Sequence, residues 1–471
     1  MIFNHLHISY RHLIPLTMAF LLTMFGRVPA SAQQQASQTP DIQQMQKRLE
    51  QLEKELRELK QQMSSAAALS KEAIPGPSVD VTAETRQAEE KSEQAAPSTS
   101  LEIYGYAMLD SGYDFKTNDP NWFDVVRPTK LPAAAGDFAP DGKTYFGVRQ
   151  TRFGVKSSTA TPLGDLKTIF EFELFGTGAD AGQTTFRLRH AWGELGHFGA
   201  GQTWSPFMDI DVFPNSLEYW GPTGMVFFRN VQVRWTPIQG KSNVVIALER
   251  PGASADDGIY SDRVELPGVK PQFKWPDLSG HARYAGNWGY VQVGAIVRKL
   301  AWVDTNKASA FNLSGTAIGW GVNISSNLNV TKKDTGRFSV VYGEGIQNYM
   351  NDAPIDVGVK NNAANPVSPI KGVALPVLGV VAFLDHNWSD RFSSSLGYSM
   401  INIDNSNAET PSDFHQGHYA LVNLLYHPVK KVTIGSEFQF GRRVNFSDGF
   451  NVNDYRMQFS FRYDWSKSLE F

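Results

Sequence analysis

The segment Tyr455–Tyr463 restricts the fold more sharply than any other stretch of the chain. Tyr455, Met457, Phe459, Phe461 and Tyr463 alternate with Arg456, Gln458, Ser460 and Arg462. Successive side chains of a strand point to opposite faces, so this order makes one face apolar and the other polar. A helix would mix the two sets. The segment before it repeats the pattern. Val432, Ile434, Phe438 and Phe440 alternate with Thr433, Glu437, Gln439 and Arg443, and HPVKK at 427–431 supplies a short turn. Comparable alternation recurs at 145–157, 166–175, 184–195, 226–236, 289–300, 314–328, 336–347, 391–402 and 415–427. No long helical pattern interrupts residues 101–471. The fold expected there is all-β.

The first hundred residues differ. Residues 1–32 read as a secretory signal: Arg11 and His12, an apolar core at 13–26, then the small-x-small pattern Ala30-Ser31-Ala32. Its removal takes Arg11 and Arg27 but no acid, so 44 Lys+Arg against 47 Asp+Glu become 42 against 47, a charge of −5. Ile42, Met45, Leu49, Leu52, Leu56, Leu59 and Met63 then repeat at a spacing of 3-4-3-4-3-4. That is the seam of an α-helical coiled coil over 41–63, about 33 Å long. A lone helix of this length is marginal in water, so the seam implies association, though leucine at both seam positions leaves the oligomer number open. Residues 64–100 are rich in Ala, Ser, Glu, Gln and Pro, without aromatics, and read as a flexible linker.

An all-β chain of this length could be a soluble sandwich or propeller, but three features favour a membrane barrel. Aromatics bracket the apolar faces, as Tyr455 and Tyr463 do, in the manner of interface girdles. Short connections such as 427–430 alternate with long polar ones such as 116–144 and 349–371, the asymmetry of periplasmic turns and extracellular loops. The last residue, Phe471, is aromatic, although SKSLE separates it from the last clean alternation. Candidate segments number seventeen. The doubtful one, PQFKWP at 271–276, is bounded by prolines, which pair poorly in a sheet. Placing it in a long loop, 251–278, restores an even number. About 16 antiparallel strands over the 371 residues 101–471 give a porin-sized barrel, with fourteen and eighteen as alternatives.

With apolar positions facing lipid, the alternate positions line the lumen. Arg152, Arg187, Arg189, Arg234, Arg443, Arg456 and Arg462 all fall on that inner face. Arginine is permanently charged, and its planar fork matches a carboxylate. Such a wall would favour anions. The competing reading is that Glu171, Glu173 and Glu437 neutralise these arginines as cross-strand pairs, leaving weak selectivity. Residues 203–228 hold seven aromatics but three charges, Asp209, Asp211 and Glu218. An exposed loop this apolar is costly. It is expected to fold inward as a constriction, with Tyr219 and Trp220 at its turn, or else to be buried at a subunit interface.

Other functions fit less well. No cysteine excludes disulfides and thiolate metal sites, and the near-neutral charge argues against nucleic acid as a partner. His190, His281, His386, His415, His418 and His427 stand in no nucleophile-elbow motif, and the HxxH at 415–418 lacks the glutamate of a zincin, so neither catalysis, a metal nor a cofactor is expected.

The stretch FRLRHAWGELGHFGAGQTWSPFMDIDVFPNSLEYWGPTGMVFFRN, and the order of signal, coiled coil, linker and a barrel beginning LEIYGYAMLD, resemble the DcaP-like trimeric porins of Gram-negative outer membranes. The resemblance covers 41–471 and is most specific across 184–235. It implies a sixteen-stranded homotrimeric channel in outer-membrane lipid, its coiled coil in the periplasm, that takes up small anions, especially dicarboxylates. It places Arg187, Arg189 and Arg234 on the wall and makes 204–225 the constriction. A general or phosphate-selective porin and a mainly structural envelope protein remain the alternatives.

Overall fold

The computed structural model describes residues 54, 99–252 and 263–471. Contacts divide the chain into two units, Met1–Glu93 and Gln94–Phe471. In the first, Lys54 alone is described, exposed and helical. The signal, the heptad seam and nearly all of the linker therefore lie outside the described residues.

The second unit is a closed antiparallel barrel of sixteen strands. In chain order they are β1 (Thr99–Asp114), β2 (Lys143–Gly147 continued by Arg152–Thr159), β3 (Leu166–Phe175), β4 (Thr184–Leu195), β5 (Phe198–Trp204), β6 (Arg229–Ile238), β7 (Asn243–Glu249), β8 (Val269–Pro271 continued by Asp277–Gly286), β9 (Gly289–Asp304), β10 (Gly315–Asn329), β11 (Asp334–Glu344), β12 (Pro376–Ser389), β13 (Phe392–Ile403), β14 (Phe414–Tyr426), β15 (Val432–Asn445) and β16 (Asn451–Glu470). Each pairs with its neighbours, and β1 closes the ring on β16 from Ser100↔Glu470 to Asp114↔Arg456. Closure removes every open strand edge, the condition for a β-structure to cross lipid.

Two strands are interrupted. Both parts of β2 pair with β1, and both parts of β8 with β9. Segment 145–157 is thus not one continuous alternation. Val148–Thr151 turn aside, Thr151 N donating to Val148 O at 3.0 Å. The doubtful segment 271–276 is the break in β8, where Pro271 still pairs with Trp302 and 273–276 do not pair. The first strand starts at Thr99, two residues before the expected boundary. The last runs through SKSLE to Glu470, so no gap separates it from Phe471.

The apolar face points outward. In β9, Val291, Val293 and Val297 are exposed while Gln292 and Arg298 are buried. In β16, Tyr455, Phe459, Phe461 and Tyr463 are exposed while Arg456, Gln458 and Ser460 are buried. This inverts the rule for water-soluble proteins and matches a chain solvated by lipid. At one end the connections are short: 160–165, 196–197, 239–242, 287–288, 330–333, 390–391 and 427–431. At the other they are longer, and several turn inward. Val126 of 115–142, Phe207, Val212, Met225 and Val226 of 205–228, and Ile346, Tyr349 and Met350 of 345–375 pack into one apolar cluster with Val341, Val377, Phe383 and Ile401 of the wall. Two of these connections, 116–144 and 349–371, were expected as polar extracellular loops. Their buried Trp122, Val125, Tyr349 and Met350 bring them inside.

Candidate functional site

The connection 205–228 joins β5 to β6 and crosses the inner face of the barrel. Asn323 Nδ2 of β10 donates to Phe207 O at 3.0 Å, and Gln292 Nε2 of β9 to Met208 O at 3.2 Å. On the other side, Gln150 Nε2 donates to Leu217 O at 2.9 Å, and Asn423 Nδ2 of β14 to Asn215 O at 2.7 Å. Glu437 of β15 accepts from Leu217 N at 2.7 Å and Glu218 N at 3.1 Å. Glu437 thus fastens the loop instead of neutralising an arginine.

The loop's own acids also act as anchors. Asp209 is buried, 2.7 Å from Arg283 Nη2, and accepts from Tyr290 at 2.8 Å and Ser325 at 2.6 Å. Asp211 is half exposed and pairs with Arg283 Nη1 at 2.6 Å. Glu218 is buried and accepts from Val126 N at 3.1 Å and Tyr419 Oη at 3.3 Å. Burial pushes its carboxyl up to about 8, and the carboxylate of Glu437 adds to the rise. Trp220 meets Trp122 edge to face at 4.8 Å, and the Arg127 guanidinium lies over both rings. Tyr219 stacks on Phe175 at 3.9 Å and donates to Glu173.

Glycine on the inner wall permits this close docking. A Cβ on Gly294 would lie 3.1 Å from Phe207 O, and one on Gly379 would lie 2.0 Å from Gly224 O. Gly224 itself sits at φ +77°, a left-handed conformation that glycine alone adopts cheaply.

Four arginines converge beneath Tyr219. Arg189 of β4 is buried and donates to Glu171 through Nε at 2.6 Å and to Glu173 through Nη1 at 2.6 Å. Arg152 Nη2 lies 3.4 Å from Glu173, and its Nε 3.7 Å from Glu171. Arg229 Nη2 lies 3.6 Å and Arg187 Nη1 3.9 Å from Glu173. Tyr104 donates to Glu171 at 2.7 Å. Among the described residues, four positive charges thus face two negative ones, a local net charge of +2. A one-residue bulge makes the cluster possible: Glu171 pairs with His190 but Phe172 with Leu188, which leaves Arg189 as the extra residue of β4. Arg462 of β16 joins from the side, its guanidinium 3.9 Å from the Tyr106 ring whose other neighbour is Arg152 at 5.2 Å. It also pairs with Asp464 at 2.6 Å.

The remaining arginines lie apart. Arg456 is fully buried against Asp114, its Nη2 at 2.9 Å. Arg443 bonds Asn445 Oδ1 at 2.8 Å, Ser412 O at 3.0 Å and Thr129 O at 3.3 Å. Arg234 bonds Gln232 Oε1 and Trp204 O and stacks on Trp192 at 4.9 Å. Arg234 lines a cavity of about 600 Å³ at the short-turn end with Lys167, Trp192, Glu194, His281 and Arg283.

Alternation did not reveal several functional groups. Arg229 is buried beside Asn230, two consecutive inward residues where the loop enters β6. Arg149, inside the break of β2, is buried against Asp124. Tyr104 and Tyr106 lie on the inner face of β1. The arginine excess is also local. Asp110, Glu249 and Asp454 are buried on the inner wall, and Asp277 and Asp385 pair with Arg298 and Arg337. Of the histidines, His415 and His418 fall within β14, three residues apart and therefore on opposite faces. His415 bonds Asn405 at 2.9 Å and His418 bonds Tyr398 at 2.6 Å. Among the described residues, no group of three or more His, Asp or Glu is placed to hold a metal ion.

The model of the DcaP outer membrane protein family matches residues 33–465. The crystal structure of the outer membrane channel DcaP of Acinetobacter baumannii superposes with a TM-score of 0.64 at 20% identity, covering 79% of this chain and 99% of that one. The anion-selective porin from Comamonas acidovorans gives 0.50 at 11% identity, covering 78% and 100%. No curated protein matches by sequence. A family match over most of the chain, on a closed barrel with an apolar outer face, places the protein in the outer membrane: the chain belongs to the DcaP outer membrane protein family.

Proposed function

We propose that the barrel is a passive diffusion channel for small anionic solutes, dicarboxylates in particular. The observation that carries this reading is the local excess of arginine around Glu171 and Glu173: Arg152, Arg187, Arg189 and Arg229, with Arg462 beside them. Fixed guanidiniums lower the entry cost of a carboxylate, and their planar forks suit its geometry. Arg234 at the short-turn cavity and Arg443 at the long-loop end extend the positive potential along the path, while Arg456, held by Asp114, supports the wall. Loop 204–225 narrows the lumen. Tyr219 shapes the narrowest part, and Asp209, Asp211, Glu218 and Trp220 hold the loop in place. The chain works as a homotrimer in outer-membrane lipid, with residues 1–32 removed on export and the coiled coil over 41–63 in the periplasm. No chemistry is required of it.

A general porin of weak selectivity is the second reading. It draws on Asp110, Glu249 and Asp454, inner-wall carboxylates with no Lys or Arg within 4.0 Å among the described residues. Current through single channels in a planar bilayer separates the two. Added succinate should block it in discrete events, while a neutral solute of the same size should not. Equal effects of both solutes would favour the general porin.

A further inference from the structure

The interruption of β8 leaves a notch in the outer face of the barrel. Pro271 and Pro276 bracket it, and proline lacks the N–H that a sheet ladder needs. The ladder to β9 stops at Val297↔Leu278 and resumes at Trp302↔Pro271, so Arg298, Lys299 and Leu300 have no pairing partner in β8. The notch has a volume of about 380 Å³, and Gln272, Lys274, Trp275, Lys299, Ser314 and Thr316 line it, all exposed. It faces lipid and not the lumen. Lys299 continues the outward series Val291, Val293 and Val297 of β9, and it pairs with Ile318 of β10, which is also exposed. Its height follows from the rings beside it. Trp320 pairs with Val297, two residues nearer the short-turn end, and meets Tyr342 edge to face at 5.9 Å. Both rings are exposed on the outer face, as aromatics are where hydrocarbon gives way to headgroups. The notch therefore lies at headgroup level on the side of the long connections, the outer leaflet.

The charge of the notch is unbalanced. No acid lines it, and among the described residues neither the Lys274 nor the Lys299 ammonium has an ion pair or a hydrogen bond. Two exposed ammoniums suit a phosphate as point charges, and the Ser314 and Thr316 hydroxyls and the Gln272 amide add donors. An unpaired stretch of strand is costly beside lipid, so the gap at Arg298–Leu300 also calls for a polar occupant. We propose that the notch holds the phosphate of an outer-leaflet lipid, with Lys274 and Lys299 as its charge partners. A lipid fits better than a free anion because an apolar outer face continues below the notch through Val297, Leu278 and Val293, all exposed, where acyl chains would lie. The site is independent of what passes through the lumen, so it stands or falls apart from the anion-channel reading.

The test is the binding of diphosphorylated lipid A to the purified full-length protein in a non-ionic detergent, titrated and read by native mass spectrometry. The wild type should bind it more tightly than the same lipid stripped of both phosphates. Lys274→Gln and Lys299→Gln should each weaken binding by about fivefold, and the double variant by about 25-fold. Lys299→Arg, which keeps the charge, should retain most of the affinity. Lys332→Gln, exposed in a short turn at the opposite end, should bind as the wild type does. Excess inorganic phosphate should not displace the lipid. If the double variant does not assemble, the two single variants decide the matter by the same criterion. Wild-type binding in the lysine variants, equal binding of the lipid without phosphates, or an equal loss in Lys332→Gln overturns the proposal. Displacement by inorganic phosphate would make the notch a site for the free anion and overturns its assignment to a lipid.

Discussion

Adding one methyl group to Gly379 should loosen the loop that narrows the barrel. Gly379 lies on the inner face of β12, opposite Gly224 of the loop. The new Cβ would stand 2.0 Å from Gly224 O, and 2.8 Å from both Met350 Cε and Val341 Cγ1. Met350 can rotate away, but the Gly224 carbonyl is backbone. Real Cβ atoms keep at least 3.0 Å, so the loop must retreat by 3.0 − 2.0 = 1.0 Å. It has little room to do so, because a Cβ-sized volume at Gly224 already meets Met400 O at 2.2 Å on the next strand. Overpacking of this kind costs about 1–3 kcal/mol. If the cost falls on the docked loop, its equilibrium with undocked states shifts by about 5- to 150-fold. The anchors at Glu437 and Asp209 remain, so the barrel still forms. Single-channel recording of Gly379→Ala should show larger or noisier conductance. Gly193→Ala is the control, since its nearest neighbour is 4.0 Å away. Wild-type conductance and noise in Gly379→Ala would refute the claim that this contact seats the loop.

Arg187→Gln should move the reversal potential toward zero in a salt gradient with the barrel intact, because one fixed positive charge leaves the inner face; Arg189→Gln should also lower thermal stability, by about 1.5–3 kcal/mol, because it removes the charge-assisted hydrogen bonds at 2.6 Å to both Glu171 and Glu173. The loop should loosen with rising pH. Its Glu218 carboxyl is raised from the ordinary 4.5 to about 8, so the docked loop holds a proton that the undocked loop releases. That contribution is complete below about 4.5 and is lost as the pH rises through 8. Open-channel noise should therefore grow between about pH 5 and pH 8 and level off above it, and Glu218→Gln should abolish the trend. Deleting residues 41–63 should weaken trimers in detergent, measured by size-exclusion chromatography with light scattering, while single-channel conductance persists.

The barrel was legible because lipid imposes one rule on every strand. Period-two alternation from Leu166–Phe175 to Asn451–Glu470 reflects that rule, and the even number of strands follows from every pair, the closing one included, being antiparallel. The inward course of 205–228 was legible from seven aromatics against three charges over 203–228. The arginine cluster was legible only in part. Alternation found Arg152, Arg187 and Arg189, but a bulge decides how Arg189 meets two glutamates at once, and bulges leave no mark in a hydrophobic pattern. Arg229 and Arg149 stand where strands break or begin, and there parity says nothing about direction. Loops 115–142 and 345–375 read as polar because their buried apolar residues are scattered among turns. Their partners are wall residues hundreds of positions away, as with Arg127 and Asp352 at 2.8 Å. Asp110, Glu249 and Asp454 are also buried on the inner wall, so the positive wall is less continuous than the arginines alone suggest.

The reversal potential of the wild-type protein in a planar bilayer under a salt gradient tests the central claim most directly. An arginine-lined passage predicts anion preference, steeper at low ionic strength, where fixed charges are least screened. Cation preference, or none, would mean that the inner carboxylates outweigh the arginine cluster, and the account of an anion channel would fail.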